Sequence, residues 1–453
     1  MNLTCRSILM ASLIVFLGCA AGPARADLPP SAVKDSCEIF ILPDHADGTY
    51  KAGEKITFTI RLVRGGQPVE KADVQYTIEV NGNRKEAPRV AAVEKGQARV
   101  QAELAEPGCV MVVATYALSE KDAVRVEAGT AVEPEKLRPA LAAPDDFDAF
   151  WAEEKRKLSE VPMNARLTAV ENVPEAVRGN NVEVFDVQVD CVQVDCPGGA
   201  PVSAYFARPK GAKPKSCPAH LTFHGAGVSG ANLTGAAGQA MRGRLGMDVN
   251  AHGIPNGKPE QYYKDLLAGE LKEYWHRGND DRQRCYFRGM YLRLVRAIDF
   301  VTSQPEWDGR TVIVSGSSQG GAQAVVAAGL DPRVTILSAS LPALCDLGAQ
   351  TAGRPAAWPI GARRLDEKQV QTLRYFDVCH FAARTQAAAV VRVGLVDRTC
   401  WPYGVLAMTN QLRGSRRVVL SPVSGHGWSP PDAYKEASRA FEELLASPAG
   451  KAP

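Results

Sequence analysis

Polar and apolar residues alternate along the first third of the chain. Ile56-Thr57-Phe58-Thr59-Ile60-Arg61-Leu62-Val63 is closed by Arg64-Gly65-Gly66, Val74-Gln75-Tyr76-Thr77-Ile78-Glu79-Val80 by Asn81-Gly82-Asn83, and Ala98-Arg99-Val100-Gln101-Ala102-Glu103-Leu104 keeps the same period. A period of two between turn residues predicts strands with one face buried and one wet. No 3.6-residue period interrupts it between about 38 and 131. Short strands so spaced predict a small β-sandwich of immunoglobulin-like architecture, which we assign to residues 27–135. It carries no catalytic constellation, so a spacer or packing module and a carbohydrate- or partner-binding module both stay open.

The pattern changes after Val132-Glu133-Pro134-Glu135-Lys136-Leu137-Arg138-Pro139. Asp145-Asp146-Phe147-Asp148-Ala149-Phe150-Trp151 predicts an acidic helix start, with an amphipathic helix to about Leu158. Beyond it, uniformly apolar runs replace the alternation: Ala219-His220-Leu221-Thr222-Phe223, Thr311-Val312-Ile313-Val314, Ala389 to Val396, and Arg417-Val418-Val419-Leu420. Such strands belong to a sheet covered on both faces. With helical stretches between them they predict an α/β domain over residues 140–448.

At the amino end, Arg6 precedes an apolar run from Ile8 to Cys19, and Ala24-Arg25-Ala26 follows. This reads as an export signal, residues 1–26, with a mature start at Asp27. The run falls short of the ~20 residues of a bilayer span, and no second candidate follows, so no transmembrane segment is expected. Phe16-Leu17-Gly18-Cys19 offers a competing reading as a lipoprotein box that would tether the chain at Cys19.

Composition narrows the class. With 453 residues, 45% hydrophobic and 23% charged, the chain suits two or three globular domains and is not disordered as a whole. Lys and Arg number 53 against 50 Asp and Glu, a net charge of +3; removing residues 1–26 takes away Arg6 and Arg25 and no acid, which leaves 51 against 50. No basic run points to a nucleic acid partner. Eleven cysteines less Cys5 and Cys19 leave nine, an odd number. Cys191 and Cys196, in the near-repeat Val189-Asp190-Cys191-Val192-Gln193-Val194-Asp195-Cys196, suit a hairpin in which they meet, and equally two separately buried thiols. No Cys/His grouping has zinc spacing, so neither a metal nor a cofactor is expected.

Gly316-Ser317-Ser318-Gln319-Gly320 follows an apolar strand and opens a helical run from Gly321 to Ala328. Strand, tight turn and helix in that order make a nucleophile elbow, whose glycines let the turn pass close to neighbouring chains. A serine hydroxyl attacks poorly unless a base takes its proton and a carboxylate fixes the base's tautomer. Asp397 follows the run ending at Val396, and His426 lies in Ser424-Gly425-His426-Gly427-Trp428, just past the strand Arg417 to Leu420. The carboxyl ends of parallel strands converge on one crevice, so Ser318, Asp397 and His426 are expected to meet as nucleophile, acid and base. His380, shortly after Asp377, stands in the wrong order and is read as structural.

His224-Gly225-Ala226-Gly227 follows the strand Ala219 to Phe223, where an enzyme of this architecture aims backbone N–H groups at a developing oxyanion. The expected donors are the backbone N–H groups of Ala226 and Gln319, with the His224 side chain in support. The segment from Val228 to Arg284 is too long for a simple connection. In it Tyr262, Tyr263, Trp275 and His276 offer ring faces and polar tips to a sugar, with plain core packing as the alternative.

Taken in order, Pro144-Asp145-Asp146-Phe147-Asp148-Ala149-Phe150-Trp151, Arg296-Ala297-Ile298-Asp299-Phe300, Asp308-Gly309-Arg310, Ser318-Gln319-Gly320-Gly321, Leu330-Asp331-Pro332-Arg333-Val334 and Gly394-Leu395-Val396-Asp397 resemble the acetyl xylan esterase and cephalosporin-C deacetylase family of the α/β-hydrolase superfamily. The resemblance spans roughly 144–446. It implies an α/β-hydrolase domain that removes acetyl groups from small acetylated sugars through Ser318, Asp397 and His426. Three departures stand out: Ala226 where members carry Tyr after His-Gly, Asn250-Ala251-His252 in place of Arg-Gly-Gln, and His426-Gly427 in place of His-Glu. The lost Tyr is expected to reshape the acyl or sugar pocket. The β domain lies outside the resemblance and stands in the way of ring-like oligomers common in the family, so the oligomeric state stays open.

The reading is therefore an exported serine esterase acting on acetylated saccharides of the xylan or xylo-oligosaccharide type through an acetyl-serine intermediate. The same machinery acting on another carboxylic ester or a peptide bond is one alternative, and a catalytically decayed carbohydrate-binding protein is another.

Overall fold

The structure, a computed structural model, describes residues 31–34, 36–84, 87–191 and 201–447. Eleven strands form the amino-terminal unit: β1 (Ser31–Lys34), β2 (Cys37–Pro43), β3 (Thr49–Tyr50), β4 (Ile56–Arg64), β5 (Gln67–Pro68), β6 (Lys71–Val80), β7 (Asn83–Arg84), β8 (Arg89–Glu94), β9 (Gln97–Ala102), β10 (Gly108–Ala117) and β11 (Ala123–Val132). Their hydrogen-bonded order is β1-β2-β4-β9-β8-β6-β10-β11-β3, with β5 and β7 pairing β4 and β6. At the β8–β9 junction the register holds one pair, Glu94 opposite Gln97, and the inward residues of the strands on either side meet in one core. Ile39, Ile41, Phe58, Ile60 and Val100 come from one side, and Val74, Val110, Val112, Ala114, Val124 and Val126 from the other.

β4 alternates buried and part-buried positions as its period of two requires. β10 does not: every residue from Gly108 to Ala114 is buried. Its even-numbered residues face the β core, while Cys109, with Ala131 of β11 opposite it, packs into the core of the second unit. Thus the outer face of β10 and β11 packs against the second unit rather than facing water.

The second unit is a nine-stranded mixed sheet of β12 (Arg166–Ala169), β13 (Val182–Val189), β14 (Val202–Pro209), β15 (Cys217–Phe223), β16 (Leu245–Val249), β17 (Trp307–Ser317), β18 (Ile336–Ser340), β19 (Ala388–Gly394) and β20 (Arg416–Ser421). The order is β12-β13-β14-β16-β15-β17-β18-β19-β20. β12, β13, β14 and β16 pair antiparallel, and from β16 to β20 every pairing is parallel. The helices are α1 (Phe147–Ser159), α2 (Leu233–Ala240), α3 (Glu260–Ala268), α4 (Tyr286–Thr302), α5 (Gln319–Leu330), α6 (Glu367–Leu373), α7 (Val378–Ala382), α8 (Pro402–Thr409) and α9 (Pro431–Ala446). Among the described residues no helix is long and apolar enough to cross a membrane.

The segment 228–284 is not one pocket-forming insertion. It holds α2, α3 and the fully buried β16, which lies between β14 and β15 in the sheet. Leu245-Gly246-Met247-Asp248-Val249 escapes a hydropathy reading because it is short and contains a glycine and an acid. Asp248 is tolerated in the sheet because it accepts from Thr222 Oγ1 at 2.6 Å and from Asn232 N–H at 2.7 Å, and burial pushes its carboxyl up to about 6. β13 and β14 pair antiparallel on either side of the Cys191 repeat, with Val189 opposite Val202, while residues 192–200, where the expected hairpin turn would fall, lie outside the described residues. Cys191 is buried, while Cys196 falls outside the described residues, as do residues 1–30 with the expected signal. Cys37, Cys109, Cys217, Cys285, Cys345 and Cys379 are buried thiols.

Candidate active site

β17 delivers Ser318 into the first turn of α5. Its φ of 56° and ψ of −125° are a strained backbone for a residue with a side chain, and three hydrogen bonds hold it: Ser318 N–H to Ser340 O at 2.9 Å, and Ala343 N–H and Ala322 N–H to Ser318 O, each at 3.0 Å. Glycine is required at the flank because a Cβ on Gly320 would stand 2.1 Å from Phe223 O and 2.9 Å from His224 O. That close approach carries the end of β15 beside the serine.

Asp397 follows β19 and is fully buried. Its Oδ1 accepts the N–H groups of Thr399 at 2.8 Å and Cys400 at 2.7 Å, which leaves Oδ2 for His426 Nδ1 at 2.8 Å. His426, on the loop after β20, turns Nε2 to Ser318 Oγ at 2.9 Å. In that tautomer Nδ1–H donates to the carboxylate and Nε2 accepts the serine proton. Burial by itself pushes the His426 ring down; the Asp397 carboxylate, with the Cys400 sulfur beside it, outweighs burial and holds the ring above its ordinary value. The three residues expected from strand ends far apart in sequence thus lie in one hydrogen-bonded chain.

Among the described residues, Asp397, Cys400 and His426 form the one grouping of His, Cys, Asp or Glu side chains with potential ligand atoms within 4.8 Å of one another. The acid–base hydrogen bonds account for that closeness. Asp377, the acid that precedes His380, is engaged elsewhere, accepting from the N–H groups of Asp346 at 3.1 Å, Leu347 at 2.7 Å and Cys379 at 3.0 Å.

Gln319 is the first residue of α5, so its N–H has no partner within the helix and sits at the positive end of the helix dipole. Ala226 lies in the turn after β15, next to Gly225, where an added Cβ would be 3.8 Å from Ser318 Cβ. The His224 ring serves that turn rather than the open site. Its Nε2 accepts from Ala251 N–H at 3.1 Å, so Nδ1 carries the proton and donates to Gly225 O at 2.8 Å. His252 braces the same turn: its ring bonds Gly227 O and the Tyr286 hydroxyl, both at 2.8 Å. Burial lowers both imidazoles, His252 to about 3, so both are neutral near pH 7. The adjacent Tyr274 donates its hydroxyl to Gln319 Oε1 at 2.5 Å. His252 and Tyr274 are members of the site that sequence reasoning left without a role. The signal was present, since His252 closes the triplet that replaces Arg-Gly-Gln.

Of the aromatic residues expected to meet a sugar, Trp275 is buried and stacks at a tilt 5.9 Å from Trp358, whose N–H donates to Thr399 O in the turn of the acid at 2.8 Å. Tyr262 and Tyr263 lie on α3. Tyr263 donates to Pro255 O at 3.0 Å and accepts from Lys258 N–H, which pins the loop before α3.

The family profile described as Acetyl xylan esterase (AXE1) matches residues 132–441. The chain is 28% identical over 395 residues to Acetyl esterase Axe7A of Xylanibacter ruminicola, covering 85% of this chain and 86% of that protein. Among solved structures, the acetyl xylan esterase from Paenibacillus sp. R4 aligns with a TM-score of 0.57 at 28% identity, over 69% of this chain and 98% of that one. Acetyl xylan esterase 1 from Thermoanaerobacterium sp. JW/SL YS485 aligns with the same TM-score at 23% identity, over 70% and 98%, a likeness of fold.

Proposed function

The chain belongs to the acetyl xylan esterase family and is a carboxylic ester hydrolase, and from that premise we propose that it removes acetyl groups from acetylated saccharides of the xylan or xylo-oligosaccharide type. The observation that carries the mechanism is the continuous chain from Ser318 Oγ through His426 to Asp397 at 2.9 and 2.8 Å. In the proposed reaction His426 Nε2 takes the hydroxyl proton as Oγ attacks the acetyl carbonyl. The oxyanion meets the N–H groups of Ala226 and Gln319. The imidazolium then returns its proton to the departing sugar oxygen, leaving acetyl-Ser318, and a water activated by the same nitrogen releases acetate.

Ala226 offers only a methyl group to the acyl side, and we assign the opposite wall to Trp275 and Trp358, whose ring centroids lie 5.9 Å apart. Tyr262 and Tyr263 keep at most an outer contact with a longer saccharide. The amino-terminal strands are read as an immunoglobulin-like sandwich over 27–135, supported by the single register pair at its β8–β9 edge, and residues 140–448 as the hydrolase domain. Export, with processing before Asp27, completes the proposal; a lipid-modified Cys19 at the mature amino terminus, read by mass spectrometry, would replace it.

The test compares acetate release from acetylated xylose with turnover of butyryl esters and peptides. Preference for acetylated sugar supports the reading, and preference for the longer acyl group or the peptide overturns the substrate. Ala226→Tyr is expected to raise the acetyl-to-butyryl ratio of kcat/KM; an unchanged ratio removes Ala226 from the acyl site.

A further inference from the structure

The amino-terminal domain reaches the turn that carries the catalytic acid. Between Asp397 and the two amides its carboxylate accepts lies Arg398, whose guanidinium enters the other domain. Nη1 donates to Glu79 Oε2 at 2.5 Å, and Nη2 and Nε donate to Glu127 Oε2 at 2.8 and 3.2 Å. The Arg398 side chain is 6% exposed, those of Glu79 and Glu127 1% and 0%. Register puts Glu79 opposite Met111 and Glu127 opposite Val113, so both carboxylates leave the outer face of β6, β10 and β11. Charges are kept out of water only where partners and geometry compensate them, and a guanidinium fork fixes direction as well as charge.

The backbones meet around this ion cluster. Gly129, opposite Met111 on the same face, has no room for a side chain: a Cβ would stand 2.1 Å from Leu395 O. Its N–H donates to Pro422 O at 2.7 Å, and Val423 belongs to the apolar core of the β domain. Leu395 and Val423 lie two and three residues before Asp397 and His426. Leu395 N–H to Ser421 O at 2.9 Å and Val396 N–H to Ser424 O at 3.2 Å tie the two loops together.

We propose that the β domain is a working part of the active site, in which Glu79 and Glu127 act through Arg398 as positioning residues that hold Asp397 against His426. The proposal rests on Ser318, Asp397 and His426 being the catalytic residues. An ion cluster that merely glued the domains together would set stability and leave the chemistry of a folded molecule alone. One that aims the acid must appear in kcat and in the titration of the base, because a displacement of ~1 Å at a reacting group costs up to ~100-fold in rate.

The test uses the full chain carrying Glu127→Gln, and separately the triple change Glu79→Gln, Glu127→Gln and Arg398→Met, which leaves no unpaired charge buried and keeps the measurement meaningful where the single variant misfolds. For the folded protein, with wild-type circular dichroism, the expected result is a kcat at least ~10-fold lower on an acetyl ester with KM within ~2-fold. The acid limb of the pH profile moves down, and fluorophosphonate labelling of Ser318 slows in proportion. In an Asp397→Asn background Glu127→Gln adds less than ~2-fold, because the group it positions is already disabled. Wild-type kcat and pH profile in the folded triple variant, or an equal effect of Glu127→Gln with and without Asp397→Asn, overturns the proposal. Turnover surviving in Ser318→Ala, measured alongside, overturns the catalytic assignment on which it rests.

Discussion

The nucleophile half and the acid–base half of the site are built by different means. Ser318 sits in the middle of the sheet, between β17 and α5, and the groups that hold its backbone and its oxyanion turn are neutral and come from the same unit: the Ser340 carbonyl, the N–H groups of Ala322 and Ala343, the His224 and His252 rings and the Tyr274 hydroxyl. Asp397 and His426 ride on loops after β19 and β20, at the end of the sheet where β20 has no further neighbour. Next to Asp397, Arg398 reaches into a different domain and meets two buried carboxylates there, Glu79 and Glu127. An elbow is a five-residue problem that glycines solve locally, whereas long loops at a sheet edge need something to lean on.

That comparison breaks first at the nucleophile. Ser318→Ala should lower kcat by ~10⁴- to 10⁶-fold with the fold intact, measured by acetate release and circular dichroism; near wild-type turnover would remove the serine mechanism. Asp397→Asn should cost about 10⁴-fold by allowing the wrong His426 tautomer. Asp377→Asn, which loosens the hydrogen bonds from Asp346, Leu347 and Cys379, should lower the melting temperature and leave kcat within ~2-fold. A reversed order of the two would move the acid to Asp377.

Smaller effects separate the halves. In the proposed mechanism His426 works only as the neutral base, and its pKa lies above the ordinary value of ~6.5. Activity is therefore present above that raised pKa and lost as pH falls through it, so the acid limb of kcat/KM should lie above ~6.5 and move down in Asp397→Asn; a limb below 6.5 in the native enzyme contradicts the pairing. His252→Leu, which frees Gly227 O and the Tyr286 hydroxyl, should slow kcat by on the order of 10-fold by loosening the oxyanion turn, yet leave the acid limb unmoved, since it touches only the neutral half. Smallest of all, EDTA should change nothing, and activity lost to it and restored by a divalent metal would contradict the mechanism.

The elbow and the strand ends are legible because their chemistry is local: Gly316 and Gly320 flank the serine at fixed spacing, and uniformly apolar runs announce parallel strands. β16 is hidden by brevity and by Asp248, whose partners Thr222 and Asn232 lie on other elements. The domain interface is hidden for a more instructive reason. Glu79 occupies a polar place in an alternating strand and so reads as solvent-facing, and its partner Arg398 lies 319 residues away. Alternation reports which face a residue is on; it cannot report whether that face is later covered. β10 shows the exception, since Cys109-Val110-Met111-Val112-Val113-Ala114 is apolar on both faces and marks a strand covered twice.

The separation of those charges along the chain also orders events during synthesis. Glu127 is made 271 residues before Arg398, an interval on the order of 10–60 s at a typical ~5–20 residues per second. Throughout that interval two acids stand in water on a sheet face whose apolar neighbours, Met111 and Val113, await the same cover. Until the segment around Arg398 has been made, that face lacks its cover, so the seam beside Asp397 can close only after both units exist.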